Sequence, residues 1–290
     1  MLCQVHSTRE AYRIVKLANG MHSVHSLAHR ETFHPVIGPV AEAEALYVNQ
    51  LRLPERMAGH TGEFVIWDVG LGAAANVLTV LRATHGTSCP LRIISFDHTL
   101  APLEFALDHA AELGYFTGYE STITQLLKDH RVNSTDGNRE VVWELHLGDF
   151  PEFLRSHAPT ILPPPHAILF DAFSPARNPA MWTQLLFANL FKFLDASHPC
   201  ALPTYSRSTM LRVSLLLAGF YVGAGHATGE KEETTIAANT MDLISEPLGK
   251  KWLQRARNST SAEPLWEPIY RQAPLTPETW DRLQQHPQFK

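Results

Sequence analysis

From residue 64 onward the chain repeats one arrangement: a short, continuously apolar run, a turn, and then a longer helical stretch. Residues 64–67 (Phe-Val-Ile-Trp) are the first run, and 73–81 the helix after it. Residues 91–96 and 100–113 form the second pair. Residues 141–147 and 167–170 read as a third and a fourth strand, 179–194 as a strongly apolar helix, 201–205 as a fifth strand and 208–218 as a helix. Residues 220–222 and 234–238 close the series as an antiparallel hairpin. Strands apolar on both faces that alternate with helices specify an α/β fold with a doubly wound, mostly parallel sheet. At 290 residues, 44% hydrophobic and 18% charged, the chain has the material for a sizeable core.

The sheet is flanked by two segments of different character. Residues 12–18 and 21–26 surround Asn19-Gly20, a dipeptide that accepts the positive φ of a tight hairpin turn. A helix over 40–51 follows, with Ala41, Ala45, Leu46 and Val48 on one face. The expected organisation is therefore a β-rich hairpin-and-helix extension over 1–60, a sheet domain over 61–242 and a proline-rich wrapping tail over 243–290. Residues 131–139 read as a mobile surface loop, and 163–165 as a stiff triple-proline connector.

In such sheets ligands bind beyond the carboxyl ends of the strands, where strand order reverses. Strand one ends in Asp68-Val69-Gly70-Leu71-Gly72-Ala73-Ala74-Ala75-Asn76, with glycines where the backbone turns sharply against a ligand. Strand two ends in Asp97, strand three in Gly148-Asp149 and strand four in Asp171-Ala172-Phe173. Four consecutive strands thus bring a carboxylate to one edge. A diphosphate would meet that charge unfavourably. A cationic or neutral nucleoside such as S-adenosylmethionine suits it: Asp97 accepts from ribose hydroxyls, Asp149 from the adenine amine, and Asp68 or Asp171 faces the sulfonium or ammonium charge. The Gly-x-Gly turn lacks the third glycine of the dinucleotide fingerprint, Ala74 standing there. Asp97 follows Gly70 by 97 − 70 = 27 residues, a spacing compatible with either a dinucleotide or a methyl donor.

Charge and cysteine usage narrow the setting. With 24 basic and 29 acidic residues the net charge is −5, which excludes a globally cationic nucleic-acid or membrane-surface protein but not a local basic face. Cys3, Cys89 and Cys200 are odd in number and far apart, so a reducing compartment fits. No signal peptide or membrane-length apolar run occurs, and the expectation is a cytoplasmic protein. His22, His25, His29 and His34 lie in an extended segment without a completing carboxylate or cysteine set, so no metal site is expected.

The string Asp171-Ala-Phe-Ser-Pro-Ala-Arg-Asn-Pro-Ala-Met-Trp182 resembles the Asp-[Gly/Ala]-Phe-[Ser/Ala]-Pro-x-[Lys/Arg]-Asn-Pro-x-Met-Trp segment of the MnmC-like family, which contains the tRNA 5-methylaminomethyl-2-thiouridine methyltransferases. Further resemblance follows in order: Glu31-Thr32-Phe33-His34-Pro35, the turn from Asp68 to Asn76, Leu147-Gly148-Asp149, Thr204-Tyr205-Ser206, and Gly229-Glu-Lys231-Glu-Glu233. Three departures stand out: Ala74 for the third glycine, where a methyl is expected to narrow the space near the methionine part of the cofactor; Ala73 and Ala75 at neighbouring positions; and His198-Pro199-Cys200 where paired glycines are usual.

The resemblance implies a Rossmann-like class I S-adenosylmethionine-dependent methyltransferase with a seven-stranded sheet, residues 61–242 being the methyltransferase domain. It implies a tRNA wobble uridine carrying an aminomethyl group as acceptor, a separate enzyme making that precursor, and a stand-alone protein without a flavin domain. Methyl transfer to an amine is an in-line displacement that needs a neutral nitrogen held close to the methyl carbon. Asp171 is assigned to hold the amine and take its proton, with Phe173 walling the site. The cofactor set is Asp68, Gly70, Leu71, Gly72, Asn76, Asp97, Gly148, Asp149 and Asp171; the acceptor set is Glu31, Thr32, His34, Arg177 and Lys231. Arg177, Lys192, Arg207, Arg212 and Lys231, with Lys250, Lys251, Arg255 and Arg257, supply a local basic face for RNA. Sequence alone leaves two rivals: transfer of a methyl or aminopropyl group to a small-molecule amine, and a non-catalytic nucleoside-binding protein. It leaves the oligomeric state open.

Overall fold

The computed structural model describes residues 11–229 and 232–290; Cys3 and Lys231 lie outside them. Strands β1 (Tyr12–Lys16), β2 (His22–Ser26) and β3 (Glu31–Thr32) form a small antiparallel meander. Its hairpin turns at Asn19-Gly20: Gly20 sits at φ +88°, and the Asn19 side chain accepts from the Met21 N–H at 3.1 Å. Helix α1 (Pro39–Ala43) opens on proline, whose missing N–H costs nothing at a helix start, and continues into a π-helical turn over Glu44–Asn49 that buries Tyr47. Helix α2 (Leu53–Ala58) leads into the sheet.

Strand β4 (Phe64–Val69) is buried along its whole length. It alternates between two layers: Phe64 and Ile66 face one apolar cluster, Val65, Trp67 and Val69 the other. After it come α3 (Ala75–Thr84), β5 (Leu91–Asp97), α4 (Ala101–Asp108), α5 (Ala110–Leu113), α6 (Glu120–Asp129), β6 (Arg131–Asp136), β7 (Arg139–Leu147), α7 (Phe150–Ser156) and β8 (Ala167–Phe170). A 3₁₀ turn over Pro179–Trp182 precedes α8 (Gln184–Lys192), then β9 (Ala201–Thr204), α9 (Thr209–Ala218), β10 (Tyr221–Gly225) and β11 (Thr234–Ala238). Helices α10 (Lys250–Arg257) and α11 (Pro277–Gln284) complete the chain's far end, and both insert apolar side chains (Trp252, Leu253, Ala256, Leu283) into the second cluster.

The sheet order is β10-β11-β9-β8-β4-β5-β7-β6. β4 pairs in parallel with β5 on one side and β8 on the other, so the order reverses there. β10 and β11 return antiparallel beside β9, as expected for a closing hairpin. The α/β, mostly parallel class holds, but the sheet has eight strands rather than seven. The eighth is β6, inside the segment read as a mobile loop. It pairs antiparallel with β7, from Arg131↔Glu144 to Asp136↔Arg139, across a Gly137-Asn138 turn. Only Val132 of the strand is buried, because an edge strand with one wet face carries polar residues and so imitates a loop. Arg139 anchors the hairpin: buried, it donates to Asp136 at 2.7 Å, to Thr84 and Thr87, and to the Leu81 carbonyl. Among the described residues no helix is long and apolar enough to cross a membrane.

Candidate active site

Three positive-φ residues follow β4 in quick succession, Gly70 at +94°, Gly72 at +52° and Ala74 at +60°. At Gly70 the turn presses against the end of β8: a Cβ there would stand 2.7 Å from the Asp171 carbonyl oxygen. Gly70→Ala is therefore expected to destabilise the fold by about 3 kcal/mol, from positive-φ strain plus a backbone collision, and to abolish cofactor binding. Thermal melting with and without S-adenosylmethionine measures both; a variant that melts and binds normally removes the close approach. Ala74 holds the left-handed conformation at a cost of about 1–2 kcal/mol for a residue with a Cβ. Its methyl is buried in the core and does not line the cavity, so the narrowing expected beside the cofactor does not occur.

The strand tips enclose a cavity of about 710 Å³ at the reversal point. Of the residues singled out in sequence, Glu31, Thr32, His34, Gly70, Leu71, Gly72, Asn76, Asp97, Gly148, Asp149, Asp171, Phe173 and Arg177 line it together. At one end, Asp97 accepts from the Gly72 N–H at 2.9 Å and from the His98 N–H at 2.7 Å, which fixes the glycine turn against β5. This same carboxylate holds the His98 imidazole at 3.2 Å and raises its pKa. Asp149, exposed at the rim, caps α7 by accepting from the Glu152 N–H at 2.7 Å; one of its oxygens is committed to the helix.

At the other end Asp171 follows β8. Its Oδ2 accepts from the Asn76 side-chain amide at 2.8 Å, so Asn76, expected at the cofactor, spends a donor on Asp171. The loop behind Asp171 is held by its backbone, the Tyr205 hydroxyl donating to the Ala172 carbonyl at 3.0 Å and the Trp182 indole to the Phe173 carbonyl at 2.7 Å.

The cavity's roof comes from the N-terminal extension. Glu31 accepts from both the backbone and the hydroxyl of Ser174. Phe33 packs against Gly72 and meets Phe173 edge-on, with ring centroids 5.6 Å apart. The His29 ring stacks on Phe173 at 3.9 Å, so one face of the ring expected to meet a cation is already covered. His34, at φ +48°, reaches between Asp171 and Glu42. Sequence reasoning passed over Tyr12, His29, Phe33, Glu42 and Tyr205 as wall residues. Two of these sit inside strings it had singled out, Phe33 in 31–35 and Tyr205 in 204–206.

Asp68 does not join them. It is 1% exposed and lies on the Phe64–Ile66 side of β4, pointing into a helix layer instead of over the strand tip. There it accepts from the Ser95 hydroxyl at 2.7 Å, and Ser95 in turn accepts from the Trp143 indole at 2.9 Å. Burial pushes its carboxyl up to about 7, against the lowering effect of the Ser95 hydrogen bond. The folded state thus keeps a proton that the unfolded chain has lost, and this contribution to stability fades as pH rises from about 4 to about 7. Between pH 5 and pH 7 the wild type is expected to lose about 2–3 kcal/mol more than Asp68→Asn, at about 1.4 kcal/mol per unit. Urea unfolding of both at the two pH values reads the difference; equal losses would remove it.

Five carboxylates, Glu31, Glu42, Asp97, Asp149 and Asp171, line the cavity against two guanidiniums, Arg30 and Arg177. That balance repels a diphosphate and suits a nucleoside that carries positive charge. The glycine turn lines the wall. Asp97 ends β5 and Asp149 follows β7 on one side of β4 while Asp171 follows β8 on the other, an arrangement that suits a nucleoside with a reactive distal group. Strand order, glycine turn and acid-lined reversal point together define a class I S-adenosylmethionine-dependent methyltransferase. The family described as S-adenosyl-L-methionine-dependent methyltransferase matches residues 117–240. Within the class the chain is similar to the MnmC proteins. It is 30% identical over 210 residues to the tRNA 5-methylaminomethyl-2-thiouridine biosynthesis bifunctional protein MnmC of Aeromonas hydrophila, covering 67% of this chain and 30% of that protein. The MnmC of Methylibium petroleiphilum is 29% identical over 245 residues, covering 81% and 35%. The chain thus spans about a third of the length of these curated relatives. The crystal structure of MNMC2 from Aquifex aeolicus shares the fold with a TM-score of 0.69 at 22% identity, over 94% of this chain and 84% of that one.

Proposed function

We propose that the protein methylates the aminomethyl nitrogen of a modified tRNA wobble uridine, converting 5-aminomethyl-2-thiouridine to 5-methylaminomethyl-2-thiouridine. The observation that carries this reading is Asp171, placed at the cavity wall by a twelve-residue string that resembles the MnmC proteins and braced there by Asn76 at 2.8 Å. Asp97 and Asp149 would hold the nucleoside part of the cofactor, and the turn from Gly70 to Gly72 its amino-acid part. When bound, S-adenosylmethionine supplies an electrophilic methyl on a sulfonium. Asp171 positions the acceptor ammonium by charge-assisted hydrogen bonding and takes its proton, leaving a nitrogen lone pair. Glu31 and Phe33 close the roof and exclude water from that nitrogen. Arg177 at the rim supplies a cation for the RNA backbone, and Lys231 is assigned the same task. The enzyme that installs the aminomethyl group acts earlier on the same uridine, and an RNA acceptor puts the work in the cytoplasm.

The test is methyl incorporation from labelled cofactor into bulk tRNA from cells that lack this protein, run beside a panel of polyamines. Incorporation confined to tRNA, with 5-methylaminomethyl-2-thiouridine in the digested nucleosides, is the expected result. Transfer to polyamines with none to tRNA overturns the reading.

A further inference from the structure

His34 is strained, part-buried and flanked by acids on both sides. Its φ of +48° is one that residues with a Cβ rarely adopt, and strain of that kind persists only where the surroundings impose it. Nε2 stands 3.5 Å from Asp171 Oδ2 and Nδ1 stands 3.8 Å from Glu42 Oε2, with both His34 and Glu42 side chains 9% exposed. The Asn76 amide also stands against Asp171 Oδ2; it donates and has no means of taking a proton. Of the two, only the imidazole does. The remaining titratable groups around the pair are Glu31, Asp68, Tyr47 and Tyr205; burial pushes both phenols well up, so they stay protonated.

We propose that His34 acts through Asp171 as the store for the proton that the acceptor amine must lose; this rests on the amine-acceptor reading above. An acceptor base that fills the cavity stands between Asp171 and bulk water, so the proton needs a route away from the reacting nitrogen. The ammonium N–H bond breaks with its electron pair left on nitrogen, and the proton passes to Asp171 and on to His34 Nε2. The freed lone pair forms the N–C bond as the C–S bond breaks onto sulfur. A primary ammonium becomes a secondary one, a sulfonium becomes a thioether, and one proton remains on His34, released to water when product leaves. Each ring nitrogen of His34 has a carboxylate oxygen within 4 Å, Asp171 at Nε2 and Glu42 at Nδ1, so the ring spans the two acids.

Single-turnover methyl transfer to aminomethyl tRNA, measured from pH 6.5 to 9.5, tests the relay. His34→Gln is expected to fall about 30-fold below wild type near pH 7 and to recover to within about threefold at pH 9.5, where the amine is free without help. Glu42→Gln should lie between the two. A loss that is equal at every pH, or no loss, overturns the relay and leaves the acceptor reading standing. A wild type that methylates no aminomethyl tRNA overturns both. A second readout needs no turnover and no variant: the His34 ring ¹⁵N resonances of the wild type, assigned through its own backbone. With S-adenosylhomocysteine bound they should show a neutral ring, and an imidazolium once an aminomethyl-uridine stem-loop is added. Unchanged resonances, or an imidazolium from the start, overturn the proposal.

Discussion

Asp171→Ala is expected to lower methyl transfer by about a thousandfold while S-adenosylmethionine affinity stays within a few-fold of normal. The substitution removes the acceptor of the ammonium proton and unbinds Asn76 and His34 together, since both converge on Oδ2. Asp171→Asn separates the two losses. It keeps an oxygen for the Asn76 amide but has no charge to pair with the ammonium and cannot take its proton, so it should be nearly as inactive and melt closer to wild type. Calorimetric titration of the cofactor alongside single-turnover transfer gives both numbers. Near-normal transfer by either variant would take the role away from Asp171.

The second large effect is at Asp97, where alanine should weaken cofactor binding by about 100-fold, or about 3 kcal/mol. Two hydroxyl hydrogen bonds to a charged acceptor are worth roughly that. Part of the loss comes through the protein itself, because Asp97 also fastens the Gly72 N–H and the His98 N–H. Asp97→Asn, which retains one oxygen acceptor and turns the other position into a donor, should recover some of the affinity. Binding unchanged in Asp97→Ala would mean that the nucleoside lies elsewhere.

Much of this was legible from residue order. The start of β4 and the whole of β8 are continuous apolar runs, β5 and β9 are mostly apolar, and parallel pairing of such strands sends Asp97, Asp149 and Asp171 to one edge. Asp68 was misplaced for a reason the sequence also contained: it shares its parity with Phe64 and Ile66, so it belongs to the sheet's face and not to its tip. β6 was missed because an alternating polar strand at an edge carries too little apolar signal to separate from a loop. Glu42 gave no sign at all. It lies on α1, close to His34 in sequence but more than a hundred residues from Asp171, and the docking of that helix against α3 sets the His34–Glu42 pair beside Asp171. Interactions of that range are set by packing geometry, which no local pattern encodes.

The roof of the cavity is formed by residues 29–34, which precede the first strand of the large sheet by about thirty positions and are pinned to Ser174 through Glu31. A fragment trimmed to begin at residue 61 would lose this roof and, with it, Leu46, Tyr47, Leu51 and Leu53 from the core beneath the sheet. The same separation predicts that the roof can be exchanged on its own. Grafting those six positions from a relative is expected to alter what the cavity admits while leaving the sheet, the glycine turn, Asp97 and Asp149 as they are.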